Sequence, residues 1–211
     1  QKREKADISK KLPIWNVLSD HLPQVSLSIL LTWVLSAGIM VVIVTAHVYL
    51  QGQFGFSEID VSVSRLLATI GLAIGCVFYG YFADKFSIGK VISAGCLFAT
   101  LAIGTFFVSL SFGNEILYIT YPIAGFSVGI VGAFPYYMVR AFPAKVRYSG
   151  VAFSFNISYA ITGALTSFLI PILANFFSKY AAGFYVIGVF ICGSVLGWYI
   201  IRKEKELSDD I

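Results

Sequence analysis

The stretch Val139-Arg140-Ala141-Phe142-Pro143-Ala144-Lys145-Val146-Arg147-Tyr148-Ser149-Gly150 separates two long apolar runs and contains three cations. Each flanking run is about as long as the roughly 20 residues that a helix needs to cross a bilayer. Short loops of membrane proteins that contain Arg and Lys lie on the cytoplasmic side. The stretch therefore predicts a cytoplasmic loop between two membrane-spanning helices.

The composition indicates a membrane environment for the whole chain. Of its 211 residues, 58% are hydrophobic and 12% are charged, whereas about 25% of the residues of a soluble domain are charged. The apolar runs are continuous, which favours helices over the short alternating strands of a membrane barrel. We expect an all-α membrane protein.

Six apolar runs predict six spans, joined by short loops rich in Gly, Pro, Ser and Asn. The predicted spans are 25–50, 61–82, 91–112, 116–139, 151–177 and 181–201. They form one domain over residues 23–201, between a cytoplasmic segment at 1–22 and a cytoplasmic tail at 202–211. Three prolines, Pro122, Pro135 and Pro171, lie within spans and predict tolerated kinks.

The distribution of cations predicts the orientation. All of the 15 Lys and Arg except Arg65 and Lys179 lie before the first span, after the last, or in the loops after spans two and four. By the positive-inside rule both termini are cytoplasmic. Because the cations are divided among separate loops, they form no basic patch, and the sequence indicates no nucleic-acid partner.

Two motifs lie on this predicted cytoplasmic side. The first, Gly80-Tyr81-Phe82-Ala83-Asp84-Lys85-Phe86-Ser87-Ile88-Gly89-Lys90, joins spans two and three. The second is the opening stretch continued by Val151-Ala152-Phe153-Ser154-Phe155-Asn156-Ile157-Ser158-Tyr159-Ala160. The first resembles the loop signature of the major facilitator superfamily, with Gly and Lys displaced by an insertion and one basic residue missing. The second resembles the region of helices ten and eleven in its metabolite–proton symporter group, which includes proline/betaine and carboxylate carriers.

The resemblance implies the carboxy-terminal half of a twelve-helix carrier, built as two inverted three-helix repeats. Residues 1–22 would then end a central cytoplasmic loop, in a bacterial inner (plasma) membrane. Spans one and four would line the solute cavity, two and five would face the other half, and three and six would face lipid. The implied partners are an amino-terminal six-helix half or a second copy, a small organic solute and the lipid bilayer.

Polar residues at helical spacing provide candidates for the cavity. The first span places Trp33, Ser36, Met40 and His47 on one face, and the fifth places Asn156, Tyr159, Thr162 or Gly163, and Thr166 on one face. The candidates for the substrate cavity are Trp33, Ser36, Met40, His47, Arg65, Asn156 and Tyr159.

Two of these candidates are ionisable. His47 is the candidate of this chain for proton coupling, and its alternative role is that of an interfacial histidine. Arg65 is an anion contact or an outer gate, because an intramembrane charge is costly; alternatively it extends outward or pairs with Glu58 or Asp60. No carboxylate lies in the middle of a span, so the main carboxylate of any proton relay belongs to the other half.

The candidates for a gate are the motif residues Gly80, Asp84, Lys85, Gly89, Arg140 and Arg147. The resemblance implies that Asp84 and Arg140 latch the cytoplasmic side, with the carboxylate near the positive end of a helix. The alternative is a solvated surface pair of little energetic value. The pairs Gly71/Gly75, Gly125/Gly129 and Gly193/Gly197 predict close packing between helices.

The expected function is that of part of a proton-coupled secondary transporter for a small polar organic solute. The alternative is a standalone six-helix protein that acts as a dimeric carrier, channel or scaffold. An enzyme is not expected, because neither histidine has an evident nucleophile partner and the sequence lacks paired intramembrane carboxylates. The cysteines have no metal-ligand spacing, so we expect neither a metal nor a cofactor.

Overall fold

The computed structural model describes residues 20–176 and 178–209, with the side chains of 175 and 205–209 left aside. It is helical, with no strand in these described ranges. The helices are α1 Leu22–Ile39, α2 Ala46–Phe54, α3 Glu58–Lys85, α4 Ile88–Ser109, α5 Asn114–Val128, α6 Ala133–Ala141, α7 Arg147–Phe176 and α8 Ala181–Asp209. The predicted cytoplasmic segment at 1–22 lies almost entirely outside the described residues.

Six helical segments are long and apolar enough to cross a membrane, which confirms the predicted fold class. They are Leu22–Val44, Glu58–Lys85, Ile88–Ser109, Asn114–Ala141, Arg147–Ala174 and Ala181–Glu204. Helix α3 begins with a capping interaction, in which the Ser57 hydroxyl accepts a hydrogen bond from the Asp60 amide at 3.1 Å. The turn before α3 has Gly55 at φ 71°, a left-handed conformation that glycine adopts without steric cost.

The predicted first span at 25–50 and the fourth span are both interrupted. Pro135 predicted a kink in the fourth, but the sequence did not predict the two irregular turns themselves. In the first, a π-helical turn at Met40–Val44 separates α1 from α2. The carbonyl oxygen of Met40 in this turn accepts hydrogen bonds from both the amide and the hydroxyl of Thr45, at 2.7 and 2.9 Å. In the fourth, a 3-10 turn at Gly129–Gly132 separates α5 from α6. Pro135 follows this turn and has no N–H to continue the regular bonding pattern.

The helix contacts follow the symmetry of two inverted three-span repeats. The main contacts are α1 with α7, α3 with α5, and α4 with α8. Exchanging spans one, two and three for four, five and six converts the first contact into the second and leaves the third unchanged. The same exchange converts the contact of α1 with α8 into that of α5 with α4. This arrangement is that of half of a major facilitator superfamily fold, as predicted.

Glycines allow the closest of these contacts. A Cβ on Gly75 of α3 would lie 2.2 Å from a carbonyl oxygen of α5, and a Cβ on Gly125 would lie 2.1 Å from the carbonyl oxygen of Ala68. At the contact of α4 with α8, a Cβ on Gly197 would lie 2.5 Å from the amide nitrogen of Ser93. The predicted packing role of these small residues is confirmed.

Spans two and five are the least enclosed. Only 22% of the second span's apolar window and 28% of the fifth span's are buried, against 61% and 56% for the first and fourth. Helices α3 and α7 are each covered on one side only, so most of their surface faces outward.

Candidate functional site

Residues of the second motif hold the loop between α6 and α7 in place through contacts with one another. Arg147 donates a hydrogen bond from Nε to the carbonyl oxygen of Phe142 at 3.2 Å. The Phe142 ring is buried and packs on Gly150, where a Cβ would lie 2.6 Å from the ring. These three residues therefore hold the start of α7 against the preceding loop, and Arg147 is exposed beyond that contact.

The first motif is mostly helical. The sequence predicted that the second span ends at 82 and the third begins at 91, whereas α3 ends at Lys85 and α4 begins at Ile88. Gly80, Asp84 and Lys85 lie on the last turns of α3, and only Phe86 and Ser87 connect α3 to α4. Side chains on successive turns contact each other at the end of α3. The Lys85 ammonium lies 4.4 Å from the centre of the Tyr81 ring, one turn earlier. A ring stack of Phe82 on Phe86, with centroids 5.6 Å apart, continues this surface to the connection.

The gate candidates are dispersed. Asp84 is exposed, and the Arg140 guanidinium lies 4.0 Å from the centre of the Tyr136 ring. Within the described part of the chain these two charges form no ion pair. Gly89 is a packing position, because a Cβ there would lie 2.7 Å from the amide nitrogen of Ile201 in α8. The latch role of Asp84 and Arg140 stays a prediction for the complete carrier.

A chain of neutral hydrogen bonds joins α1 to α7. The hydroxyls of Ser36 and Thr162 are 2.5 Å apart. One turn earlier on α7, Ser158 donates to the carbonyl oxygen of Ile29 at 2.8 Å. Two of the predicted polar positions, on different spans, therefore meet directly inside the bundle.

A second group of hydrogen bonds joins α1 and α7 to α8. Trp33 donates from its indole nitrogen to the hydroxyl of Tyr185 at 3.2 Å. That hydroxyl lies 2.9 Å from the hydroxyl of Thr166. We call the six side chains that share these bonds the hydroxyl seam: Trp33, Ser36, Ser158, Thr162, Thr166 and Tyr185. All are uncharged; Trp33, Thr162 and Tyr185 are half-buried, and the other three are buried.

The fifth-span face was only partly predicted. Thr166 is 1% exposed and belongs to the seam, whereas Asn156 is exposed and faces away from it. Asn156 instead lines a surface groove of about 480 Å³ together with Arg147. The reason is that α7 buries Ser154, Ser158 and Thr166, which are spaced by multiples of four residues, so its buried face turns away from Asn156. This spacing was the signal for Ser158, the seam residue of α7 that the sequence analysis missed; Tyr185 on α8 lies outside it.

Met40 and Tyr159 lie at the border of the seam. The Met40 sulfur accepts from the Ser167 hydroxyl at 3.9 Å. Tyr159 is half-buried and stacks on Phe155, with ring centroids 5.7 Å apart. Both thus lie between the enclosed seam and the outward surface of α7.

His47 and Arg65 lie apart from the seam. His47 is on α2, beyond the π-helical turn, and its Nδ1 atom is buried without a hydrogen-bond partner in the described structure. Arg65 is exposed on α3.

Asp60, one of the alternative partners of Arg65, is instead bonded to other groups. Its carboxylate accepts from the Tyr118 hydroxyl at 2.7 Å, the Asn114 amide at 2.9 Å and the Ser57 hydroxyl at 2.8 Å. It therefore joins the start of α3 to the start of α5. Among the described residues, it forms no ion pair with Arg65.

The six spans define an all-helical integral membrane protein, and the helix contacts are consistent with half of a major facilitator superfamily fold. No family model matches the chain. The sialic acid transporter NanX of Escherichia coli (strain K12) is 26% identical to it over 136 residues, which are 64% of this chain and 31% of NanX. The chain thus matches about a third of that transporter's length. Together, the similarity and the spans support a transporter of the major facilitator type.

Proposed function

We propose that this chain is the carboxy-terminal half of a secondary active transporter that moves a small polar organic solute by alternating access. The observation that carries the proposal is the exchange symmetry of the helix contacts, in a chain similar to a transporter. In such carriers two six-helix halves rock around a solute site near the midplane. Helices α3 and α7, which are covered on one side only, offer surfaces for the amino-terminal half or for a second copy.

The hydroxyl seam suits a polar solute. Its indole and hydroxyl groups hold one another by hydrogen bonds, which fixes Trp33 at the edge of the bundle. The Trp33 N–H is taken up by Tyr185, so the half-buried indole presents its flat apolar ring, which fits the ring of a solute. Sialic acid is therefore the first solute to test, since it is the solute named for NanX.

Protons are the proposed coupling ion. His47 is the candidate of this chain, because its Nδ1 atom is buried without a hydrogen-bond partner among the described residues. We assign the principal carboxylate of the relay to the other half. Solute movement would then follow the proton gradient.

Uptake by proteoliposomes tests the function. The complete protein is reconstituted with an inward proton gradient, and uptake of radiolabelled sialic acid is measured with and without an uncoupler. We expect concentrative uptake that the uncoupler abolishes. Uptake that is insensitive to the uncoupler would exclude proton coupling, and no uptake of sialic acid or of other small organic acids would contradict the transporter proposal.

A matched pair of variants tests the site. Trp33→Phe removes the donor to Tyr185 but keeps an aromatic ring, and we expect uptake to fall several-fold. Trp198→Phe is the control, because Trp198 lies near the end of α8 with the Arg202 guanidinium 3.7 Å from its ring centre. Equal uptake by the two variants would remove Trp33 from the solute site.

A further inference from the structure

An aromatic groove lies between α3 and α4 on the outer surface of the bundle. It has a volume of about 310 Å³, and four phenylalanines line it, namely Phe78, Phe82, Phe86 and Phe98. Phe78 packs on Phe82 with ring centroids 4.6 Å apart. The outer face of α4 continues the apolar surface through Leu97 and Leu101, which are 55% and 64% exposed. A membrane protein covers such a continuous apolar surface with hydrocarbon.

One end of this groove is cationic. Lys90, in the first turn of α4, lines it and is exposed. The cation of Lys85 is placed differently, over the ring of Tyr81 on α3. Lys90 therefore stands where a span meets the membrane surface, next to a groove that is otherwise almost entirely apolar.

The start of α4 adds to the positive potential at this end. Ser87 occupies the position before the helix but does not cap it, since its hydroxyl donates to the Glu204 carboxylate instead. The first turn of α4 has no acidic residue of its own, and the Glu204 carboxylate of α8 is the one anion bonded at its start among the described side chains. A helix N-terminus with free amides attracts phosphate groups.

The other charges at this end are also mostly positive. Among residues with described side chains, the connection and the end of α8 have four cations, Lys85, Lys90, Arg202 and Lys203, and two carboxylates, Asp84 and Glu204. The Ser87–Glu204 bond shows that both elements lie at the same end of the molecule. The cation excess favours an anionic ligand.

We infer that the groove between α3 and α4 binds an anionic phospholipid, with its phosphate at Lys90 and the start of α4 and one acyl chain along the phenylalanines. The cationic end at Lys90 and the apolar groove together favour this ligand. A free phosphate has no chain for the aromatic groove, and a zwitterionic lipid lacks the net charge that matches Lys90. Cationic pockets between spans are known to favour anionic headgroups on the cytoplasmic side, where the cation distribution predicts this loop to be.

Native mass spectrometry of the complete protein tests the inference. The detergent-solubilised protein is titrated with phosphatidylglycerol and, separately, with phosphatidylcholine, and dissociation constants are compared. We expect tighter binding of phosphatidylglycerol. Lys90→Gln is expected to weaken that binding about fivefold, the contribution of one lysine near an anionic surface. Lys145→Gln, in the loop after α6, is the control and should bind like the wild type.

A second variant tests the groove itself. Ala94 is exposed in the groove, so Ala94→Trp fills it without touching the buried side of α4. We expect this variant to lose phosphatidylglycerol binding while keeping its thermal unfolding temperature. Inorganic phosphate at millimolar concentration should not compete. Equal affinity for the two lipids, or wild-type binding by either the Lys90 or the Ala94 variant, would overturn the inference; competition by phosphate would reassign the site to a free anion.

Discussion

Two glycines of α3 show how strongly a single position depends on its neighbours. Gly75 touches the backbone of the 3-10 turn and of α5, where an added Cβ would meet a carbonyl oxygen at 2.2 Å. Gly80, five residues later on the same helix, has no atom within 4 Å of an added Cβ. The same residue type is thus required for close approach at one position and only tolerated at the other.

The substitution Gly75→Ala is expected to destabilise the protein by about 1–3 kcal/mol, because α3 must move away from α5 to admit the methyl group. Gly80→Ala is the matched control and should be neutral or stabilising by up to about 1 kcal/mol, since alanine favours helix more than glycine. Unfolding in detergent followed by circular dichroism measures both. Equal effects of the two substitutions would contradict the close contact.

At the scale of the element, the buried repeat of α7 decides which helices it contacts. Serines and threonines four residues apart place small hydroxyl side chains along one line, so α1 approaches closely and receives hydrogen bonds at Ile29 and Ser36. Bonds of this kind between spans contribute modestly, because the separated helices also find partners in the membrane.

A double-mutant cycle measures the bond between α1 and α7. For Ser36→Ala combined with Thr162→Ala we expect a coupling energy near the average of about 0.6 kcal/mol for such bonds. The control cycle pairs Ser36→Ala with Thr120→Ala, because Thr120 bonds to Ser109 in another contact of the bundle and its coupling should be near zero. Unfolding free energies of the four variants of each cycle provide the values. A coupling energy of zero in the first cycle would show that this bond does not stabilise the fold.

For the whole molecule, the first consequence is topology. The loop between α4 and α5 and the loop between α6 and α7 are separated by one complete span, Asn114–Ala141. They therefore lie at opposite ends of the bundle, and the cation distribution predicts that the second is cytoplasmic.

Cysteine labelling in intact cells checks this orientation. In a background without Cys76, Cys96 and Cys192, Gly113→Cys should react with an impermeant maleimide and Lys145→Cys should react only after the cells are opened. Labelling of both from the same side would contradict the six-span arrangement. The reverse pattern would keep the arrangement and invert the predicted orientation.

The second consequence concerns activity. A solute site between two halves requires both sides of the cleft, and α3 and α7 expose most of their surface when the six spans stand alone. We expect this chain alone to transport nothing as a single copy. Liposomes loaded at limiting dilution test this by comparing uptake with the fraction of vesicles that hold one, two or more copies. Uptake proportional to single-copy vesicles would contradict the half-carrier proposal, whereas uptake only with two copies or with the other half supports it.

The sequence by itself determined the six spans and their helical character, whereas the repeat architecture was implied only by the resemblance of its two motifs to a known family. Hydrophobic length and the distribution of Arg and Lys are local properties, and the bilayer forces an apolar run of this length into a helix. The glycine pairs were also predictable, because their spacing alone indicates close packing.

Only the tertiary structure decided the hydroxyl seam, the interruptions of the first and fourth spans, and the charge partners. The seam depends on which face of α7 meets α1, and a helix with polar groups on several sides does not specify that face until its neighbours are in place. The exposed position of Asn156 on α7 follows from this choice of face, and its cavity role stays a prediction. The neighbours of Asp60 depended equally on contacts between distant parts of the chain.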